Sequence, residues 1–183
     1  VLLLSTIFLM IIIAGAKLKH IIISFLLLSS SFIFLIFVAP YRMKRLMAFL
    51  NPYEDPHGTG YQIIQSFVSF ANGQFFGVGL GNSSQKLFFL PQGHNDFIFS
   101  IIAEELGFAG CLFTIFLFLI LFYSILKILK RGKDLFSKYL ISAILIITTI
   151  QVIINISVSV GLMPTKGVPL PLISYGGSSL VFT

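Results

Sequence analysis

Charged side chains are scarce in this sequence. Only 10% of its 183 residues are charged, whereas soluble globular proteins contain about 25%. Too few charged residues remain to cover a water-facing surface, so much of the apolar material must face lipid, in agreement with a mean hydropathy of +1.02. The scarcity excludes a soluble globular domain and a disordered chain, and it indicates a membrane protein.

Cysteine and acidic residues are also rare. The single cysteine, Cys111, lies in an apolar run and can form no intramolecular disulfide, which excludes a disulfide scaffold. Twelve Lys and Arg residues against six Asp and Glu residues give a net charge of +6. In a membrane protein such an excess reflects loop anchors that meet anionic head groups. We therefore predict the membrane, and no nucleic acid, as a partner.

Uncharged apolar stretches long enough to cross a bilayer follow one another along the chain. Three complete ones occupy residues 21–41, 106–126 and 139–165, and two partial ones occupy residues 1–16 and the end from 176 onward. At about 1.5 Å per residue, each complete stretch spans a hydrocarbon core of about 30 Å as a helix. Lipid tolerates only helices or closed barrels, and the alternation of barrel strands is missing. We predict an all-α, polytopic membrane helical bundle with about five transmembrane helices, as an internal fragment of a larger protein.

Basic residues flank the predicted spans on both sides of the membrane. The compact basic stretch at residues 127–138 makes its side the better candidate for the cytoplasm, where basic loops accumulate. Residues 40–96 are then predicted to form a large extracytoplasmic loop, which is long for a connection without a function of its own. The first side carries Lys17, Lys19, Lys127, Lys130, Arg131, Lys133 and Lys138, and the second carries Arg42, Lys44, Arg45, Lys86 and Lys166.

The predicted loop contains a helical pattern followed by glycines. Apolar residues recur at helical spacing from Ile63 to Ala71, with polar residues such as Ser66 and Ser69 mostly on the opposite side. This pattern predicts a short amphipathic helix that lies at the membrane interface. Glycine then occupies every second position from Gly77 to Gly81, which favours turns or a close approach of two backbones.

Three cations follow the span at residues 21–41. Arg42, Lys44 and Arg45 could simply extend to lipid head groups and anchor the helix. Clustered guanidinium and ammonium groups are also suited to a phosphate or pyrophosphate at the membrane surface. The residues alone leave both interpretations open, and a lipid-linked diphosphate would fit the charge and the location.

Asp96 lies in the segment His94-Asn-Asp-Phe97, directly before a predicted helix. Asn95 or Asp96 could cap that helix and stabilise it by about 1 kcal/mol. A carboxylate at a membrane boundary beside cations is also suited to act as a general base. Nearby cations should lower its pKa and partial burial should raise it, and the sequence does not decide which influence is larger.

Polar residues also occur inside the predicted spans, where charge is costly without a partner or an inward position. Helical rotation places Glu104 about 80° from Asp96 and Glu105 roughly opposite, so only Glu104 could share a cavity with Asp96. A second polar set on the next span suggests hydrogen bonds between helices, with a polar cavity as the alternative. This polar stripe consists of Gln151, Asn155 and Ser159.

The C-terminal part contains a proline-stiffened loop at residues 161–171 and a helix start at residues 174–179. Small hydroxyl and glycine residues there could serve helix capping and close packing. They could also leave backbone N–H groups free to bind an anion, with Lys166 close in sequence and Ser178 at the helix start.

Seven segments taken together carry a resemblance. They are Tyr41-Arg-Met-Lys-Arg-Leu46, Phe49-Leu-Asn-Pro-Tyr-Glu-Asp-Pro56, Gly60-Tyr-Gln-Ile-Ile-Gln-Ser66, Gly77-Val-Gly-Leu-Gly81, Leu90-Pro-Gln-Gly-His-Asn-Asp-Phe-Ile-Phe99, Glu104-Glu-Leu-Gly107 and Pro169-Leu-Pro-Leu-Ile-Ser-Tyr-Gly-Gly-Ser-Ser179. In this order, over about 140 residues, they resemble the SEDS family of bacterial shape, elongation, division and sporulation proteins. Tyr61-Gln62 and Pro164-Thr-Lys-Gly167 are more similar to the division member than to the elongation member.

The resemblance implies a fold and an activity. Members of the family have ten transmembrane helices, so residues 1–183 would form the C-terminal half. The implied activity is that of a peptidoglycan glycosyltransferase, which polymerises lipid II in the bacterial cytoplasmic membrane at the division septum and so serves cell-wall synthesis and cell shape. The implied partners are lipid II, a class B penicillin-binding protein and other division proteins.

The resemblance also implies roles for individual residues. The family's essential aspartate corresponds to Asp96, which would take the proton from the acceptor sugar's 4-hydroxyl as undecaprenyl pyrophosphate leaves with inversion. A divalent cation, Mg or Mn, is the one cofactor that the resemblance suggests, although the sequence shows no closed set of metal ligands. Binding of the substrate or its pyrophosphate is predicted for Arg42, Lys44, Arg45, His94, Glu104, Lys166 and Ser178.

Two other functions would use the same features. A lipid II flippase could use the polar cavity and the basic outer loop, but it needs access from both faces, whereas most of the predicted site residues lie toward one face. A division scaffold would dock partner proteins through the outer loop without catalysis, and it predicts that Asp96→Asn is harmless.

Overall fold

The computed structural model describes residues 2–38, 40–86 and 95–174, and the side chains of residues 32–40 are left out of the description. Within these residues all regular secondary structure is helical, which confirms the predicted all-α class. The helices are α1 (Leu2–Ile13), α2 (Leu18–Val38), α3 (Pro40–Leu50), a short 3-10 helix (Pro52–Glu54), α4 (Tyr61–Gly73), α5 (Ile98–Arg131) and α6 (Leu135–Ser159).

The chain divides into two compact units. The first comprises Val1–Met43 and Leu119–Ile150, and the second comprises Lys44–Phe118 and Gln151–Thr183. In the first unit, α1 packs against α2, and the rings of a phenylalanine pair lie 6.1 Å apart. The second unit contains α4, the start of α5 and the end of α6, together with the described residues of the candidate site below except Arg42.

Two helices in the described part of the chain are long and apolar enough to cross a membrane, namely α5 and α6. Helix α5 begins at Ile98, before the predicted start of its span at residue 106. Helix α6 ends at Ser159, whereas the span was predicted to continue to residue 165. That prediction was too long because Gly161 adopts a positive φ of 73° and Pro164, which cannot donate a helical hydrogen bond, follows.

Helix α5 is interrupted at Gly107, whose φ of 68° and ψ of −164° are not helical. In a continuous helix, the N–H groups of Phe108 and Ala109 would donate to the carbonyls of Glu104 and Glu105. Here both bonds are missing, and residues 74–80, which we call the inserted loop, supply other partners for the same N–H groups and carbonyls. Its four backbone hydrogen bonds to α5 are Phe108 N–H to Gln74 O (2.9 Å), Ala109 N–H to Phe75 O (3.2 Å), Val78 N–H to Glu104 O (3.0 Å) and Gly79 N–H to Glu105 O (3.0 Å).

Two glycines make this insertion possible. A Cβ atom on Gly77 would collide with the carbonyl of Glu105, and one on Gly107 would collide with the backbone of Phe75 and Gly77. Both glycines also have positive φ values, which side chains other than glycine adopt at a cost. The turns and close backbone approach predicted for the glycines at 77–81 are therefore present.

Helix α4 forms at the predicted place, but its buried side differs from the prediction. The buried residues are Ile63, Ser66, Ser69 and Gly73, so the serines face the protein interior. Ser66 Oγ lies 2.6 Å from Ser100 Oγ and donates a hydrogen bond to Ser159 O at 2.6 Å. The amphipathic pattern was misread because a hydroxyl with partners on α5 and α6 can be buried at little cost.

Candidate functional site

Asp96 lies in a turn directly before α5, and its side chain is partly buried. Burial raises the pKa of the Asp96 carboxyl above its ordinary value, and the positive charge of Arg45 opposes that rise. Desolvation is therefore the larger of the two influences that the sequence left open. Among the described residues, no hydrogen bond joins this carboxylate to the first turn of α5, so the capping interpretation gains no support.

The main chain at Asp96 is held by α6. Asn155, only 1% exposed, donates hydrogen bonds from Nδ2 to Asp96 O at 2.9 Å and to Val168 O at 2.8 Å. One side-chain amide thus joins the turn that carries Asp96 to the loop at residues 161–171. The partners of this member of the predicted polar stripe are two loops rather than a neighbouring helix.

A second side chain holds the residue before Asp96. Ser174 Oγ donates to Asn95 O at 2.7 Å and accepts a hydrogen bond from Leu170 N–H, also at 2.7 Å. Ser174 is buried, and its hydroxyl joins the turn before α5 to the end of the proline-rich loop. The carbonyls of the two peptide groups on either side of the Asp96 Cα atom are therefore each held by a side-chain hydrogen bond.

The motif Pro164-Thr-Lys-Gly167 lies against the Asp96 carboxylate. A Cβ atom built on Gly167 would lie 3.1 Å from Asp96 Oδ2 and 3.6 Å from Oδ1. Any side chain at this position would crowd the carboxylate and restrict access to it. Glycine therefore keeps space open on this side of Asp96.

Among the predicted cations that the structure describes, Arg45 is the one whose charge influences the pKa of Asp96. It is half-buried on α3, donates from Nη1 to Thr165 O at 3.0 Å, and acts electrostatically on Asp96. Lys166 follows Thr165 and is half-exposed. Lys44 is exposed on α3, and Arg42 is exposed in the first unit. Pyrophosphate binding by these cations stays a prediction.

Glu104 is engaged elsewhere, in contrast to the prediction that it could share a cavity with Asp96. It is 1% exposed, and its carboxylate accepts hydrogen bonds from the segment 83–85 and from α4. These contacts give Glu104 a structural role, because no carboxylate oxygen is left without a donor, and substrate binding by Glu104 stays a prediction. The donors are Ser83 Oγ, Ser84 Oγ (3.1 Å), Asn72 Nδ2 (3.3 Å) and Gln85 N–H (3.4 Å).

Glu104→Gln should lower the thermal unfolding midpoint of the full-length protein in detergent more than Glu105→Gln does. The first change turns one acceptor oxygen toward donors as an NH2 group and should cost about 1–3 kcal/mol. The second removes only the Lys86–Glu105 ion pair (3.5 Å), whose lysine is 36% exposed, and should cost about 0–1 kcal/mol. Equal shifts of the two midpoints would contradict the structural role of Glu104.

Two predicted site residues, His94 and Ser178, lie outside the described residues. The donor set for a divalent cation is small in the described ranges, where no group of three or more His, Cys, Asp or Glu side chains comes together. Asp96 offers one carboxylate, and Mg²⁺ in proteins is often held by one or two carboxylates together with substrate phosphates. A cation shared with a bound pyrophosphate would suit Asp96, and it stays a prediction.

Three residues at the site escaped sequence reasoning or were misassigned. Asn155 was assigned to a contact between helices, Ser174 to capping, and Gly167 was seen only as part of a motif. The available signal was a lone amide within an apolar helix, since a buried polar group needs partners. Nothing in the local pattern identifies those partners, because Asn155 and Asp96 lie 59 positions apart.

Comparisons with known proteins show which family the chain belongs to. The family model described as cell cycle protein, of the FtsW/RodA/SpoVE group, matches residues 1–183. The chain is 47% identical over 171 residues to a probable peptidoglycan glycosyltransferase FtsW of Coxiella burnetii, covering 92% of this chain and 46% of that protein. It is 46% identical over 176 residues to stage V sporulation protein E of Bacillus subtilis, covering 96% and 48%.

A solved structure is similar as well. Its title describes structural coordination of polymerization and crosslinking by a peptidoglycan synthase complex, and the match has a TM-score of 0.73 at 30% identity. It covers 98% of this chain and 50% of that one, and the chain likewise spans about half the length of the curated relatives it matches. The family that the sequence motifs predicted is thereby confirmed. The chain belongs to the FtsW/RodA/SpoVE family of cell cycle proteins.

Proposed function

We propose that the full-length protein is a peptidoglycan glycosyltransferase that polymerises lipid II into β-1,4-linked glycan strands, with Asp96 as its general base. The observation that carries this proposal is the setting of Asp96. Its carboxylate is partly buried, its pKa is raised, and its backbone is fixed by Asn155. A base of raised pKa in a fixed position is suited to proton abstraction. The names of the FtsW relatives give independent support.

The proposed reaction is an inverting displacement. Asp96 accepts the proton of the acceptor sugar's 4-hydroxyl while that oxygen forms a bond to the donor's anomeric carbon. The bond from the anomeric carbon to the phosphate oxygen breaks, and undecaprenyl pyrophosphate leaves with the electron pair. The α configuration of the donor becomes β in the product. The Gly167 side of the carboxylate offers the acceptor space to approach.

Arg45 is the described cation best placed to stabilise the leaving group. Positive charge near a departing pyrophosphate lowers the barrier because negative charge grows there in the transition state. Arg45 lies close enough to influence Asp96, and its hydrogen bond to Thr165 O fixes its guanidinium beside the segment that carries Lys166. Lys166, Lys44 and Arg42 are proposed as further contacts to the pyrophosphate.

The partners and location of the protein are also part of the proposal. A class B penicillin-binding protein would supply transpeptidation, in line with the similar structure, whose title combines polymerization with crosslinking. We place the protein in the bacterial cytoplasmic membrane at the division septum, with other division proteins. Helices α5 and α6, which are able to cross a membrane, support the membrane location.

Polymerisation in detergent tests the function directly. The full-length protein and its cognate penicillin-binding protein would be incubated with purified lipid II, and glycan chains would be separated by gel electrophoresis. Micelles have no second compartment, so a flippase gives no product in this assay. Glycan chains that form only when the full-length protein is present support the polymerase, whereas their absence with well-folded protein returns the flippase and scaffold functions to consideration.

The pH dependence of polymerisation should report on Asp96. A base must be deprotonated, so the rate should rise with pH through the raised pKa of Asp96 and then reach a plateau. Arg45→Gln removes the charge that opposes this rise, so the rising part of the profile should move to higher pH. Lys44→Gln, an exposed neighbour on the same helix, removes an equal charge and should leave its position unchanged. Identical shifts of the pH profile in the two variants would contradict the assignment of this profile to Asp96.

A further inference from the structure

The inserted loop exposes an unusual concentration of apolar side chains. Phe75, Phe76 and Leu80 are 72%, 88% and 74% exposed, and Val78 is also exposed. The sequence around them contains no Asp, Glu, Lys or Arg from residue 58 to residue 85. An exposed apolar cluster of this kind marks a binding surface, because water is an unfavourable environment for it.

Several backbone groups of the loop are paired within the protein. The N–H groups of Gly77, Val78 and Gly79 donate to carbonyls of the protein, and the carbonyls of Gln74 and Phe75 accept from α5. An unsatisfied backbone group costs several kcal/mol in hydrocarbon, so irregular backbone normally stays away from lipid. Insertion into α5 lowers that cost for the paired groups of this loop.

The apolar surface of the loop continues onto α5. Phe75 packs edge-on against Phe108 at 6.0 Å between ring centroids and 77° between planes, and an open groove of about 490 Å³ lies between Gln74, Phe75 and Phe108. Beyond Phe108 the exposed surface of this helix remains apolar. Its exposed residues include Leu112, Phe113, Phe116 and Leu117.

The length of α5 sets the depth of the loop. The uncharged residues from Phe108 to Leu126 would cover about 28 Å as a helix, which is close to the thickness of the hydrocarbon core. Lys127 then marks one boundary of the core, and Phe108 marks the other. The inserted loop is bonded to Phe108 and Ala109, so it lies at that second boundary.

We propose that the inserted loop binds the bilayer itself, with Phe76 and Leu80 inserted among the phospholipid acyl chains at this boundary. Continuity with the apolar surface of α5 and the pairing of several backbone groups within the protein favour acyl chains as the occupant. Burial of these side chains would fix the depth of the second unit, which contains Asp96, relative to the membrane surface. The proposal does not depend on the reaction that Asp96 performs.

Spin-label accessibility tests the proposal. Phe76→Cys, Leu80→Cys and the control His57→Cys would be made in the full-length protein with Cys111→Ala and any other native cysteine replaced, and labelled with a nitroxide. The proteins would be reconstituted in phosphatidylethanolamine–phosphatidylglycerol vesicles. Power saturation would compare oxygen, which concentrates in lipid, with a water-soluble nickel chelate. His57 is exposed in a segment that contains Glu54 and Asp55, so its label should meet water.

The expected result is an oxygen-to-nickel accessibility ratio several-fold higher at positions 76 and 80 than at position 57. High nickel accessibility at positions 76 and 80 would overturn the proposal, because the loop would then lie in water. Low accessibility to both reagents would also overturn it, since another protein segment would then cover the loop.

Discussion

Asp96→Asn should lower the rate of glycan polymerisation by the full-length protein by about 10²–10⁴-fold while lipid II binding is retained. Asparagine has the size of aspartate, and it leaves the backbone bond from Asn155 to residue 96 intact, but it cannot accept a proton at the pH of the reaction. Loss of a general base typically costs about 10²–10⁴-fold in rate. The rate would be measured from purified lipid II with the cognate penicillin-binding protein, and binding would be measured separately.

Asp134→Asn is the matched control for this experiment. Asp134 is exposed between α5 and α6 and is distant in sequence from Asp96, and its substitution removes the same charge. It should polymerise lipid II at the wild-type rate. Wild-type rates in the Asp96 variant would remove Asp96 from the mechanism, and the polymerase would then need another general base.

Asn155→Leu should lower the polymerisation rate by about 10- to 100-fold, because Asn155 positions Asp96. Leucine has the same branched skeleton of side-chain heavy atoms, but it leaves the carbonyls of Asp96 and Val168 without their donor. A displacement of about 1 Å at a catalytic group can cost about 100-fold in rate. The change should lower kcat with little effect on KM, because Asn155 acts on the base rather than on bound substrate.

The variant will also lose stability, so the test must separate activity from folding. Each buried carbonyl left unpaired costs about 1–3 kcal/mol. Rates would therefore be normalised to the folded fraction, and Gln151→Leu, four positions earlier on α6 and half-buried, serves as the control. A drop in activity that merely follows the folded fraction, or an equal drop in the Gln151 variant, would reject positioning.

The sequence allowed the helical membrane class and the family to be predicted, because both depend on features that are local or ordered along the chain. Apolar stretches predicted α5 and α6 well at their centres, since hydrophobic length is read directly from composition. Their ends were predicted less well. Gly161 ends the span of α6 earlier than predicted, and α5 includes buried residues before its lipid-facing part.

The buried side of α4 could not be predicted from its hydrophobic pattern. Serines normally indicate a water-facing side, but Ser66 is fully buried because Ser100 and Ser159 offer it partners. Those partners belong to α5 and α6, so tertiary structure decides which side is inward. Glu104 gives the same lesson, since its donors come from residues 83–85 and from α4.

Asp96 was predicted through its motif, whereas the residues that hold it in place were not. The carboxylate has a recognisable sequence context, and Arg45 was included among the cations near it. Asn155 and Ser174 act through main-chain carbonyls, which every residue possesses, so no pairing of residue types points to the contact. Geometry alone identifies them.

The break at Gly107 has a consequence for how the protein is made. Residues 74–79 leave the ribosome before residues 104–109, so the loop is already synthesised when the interrupted part of α5 emerges. The uncharged segment that starts at Phe108 is expected to act by itself as a stop-transfer segment for the membrane-insertion machinery. The preceding turn of α5 acquires its backbone partners only when the earlier loop folds back onto it, so insertion and folding of this helix are expected to be separate events.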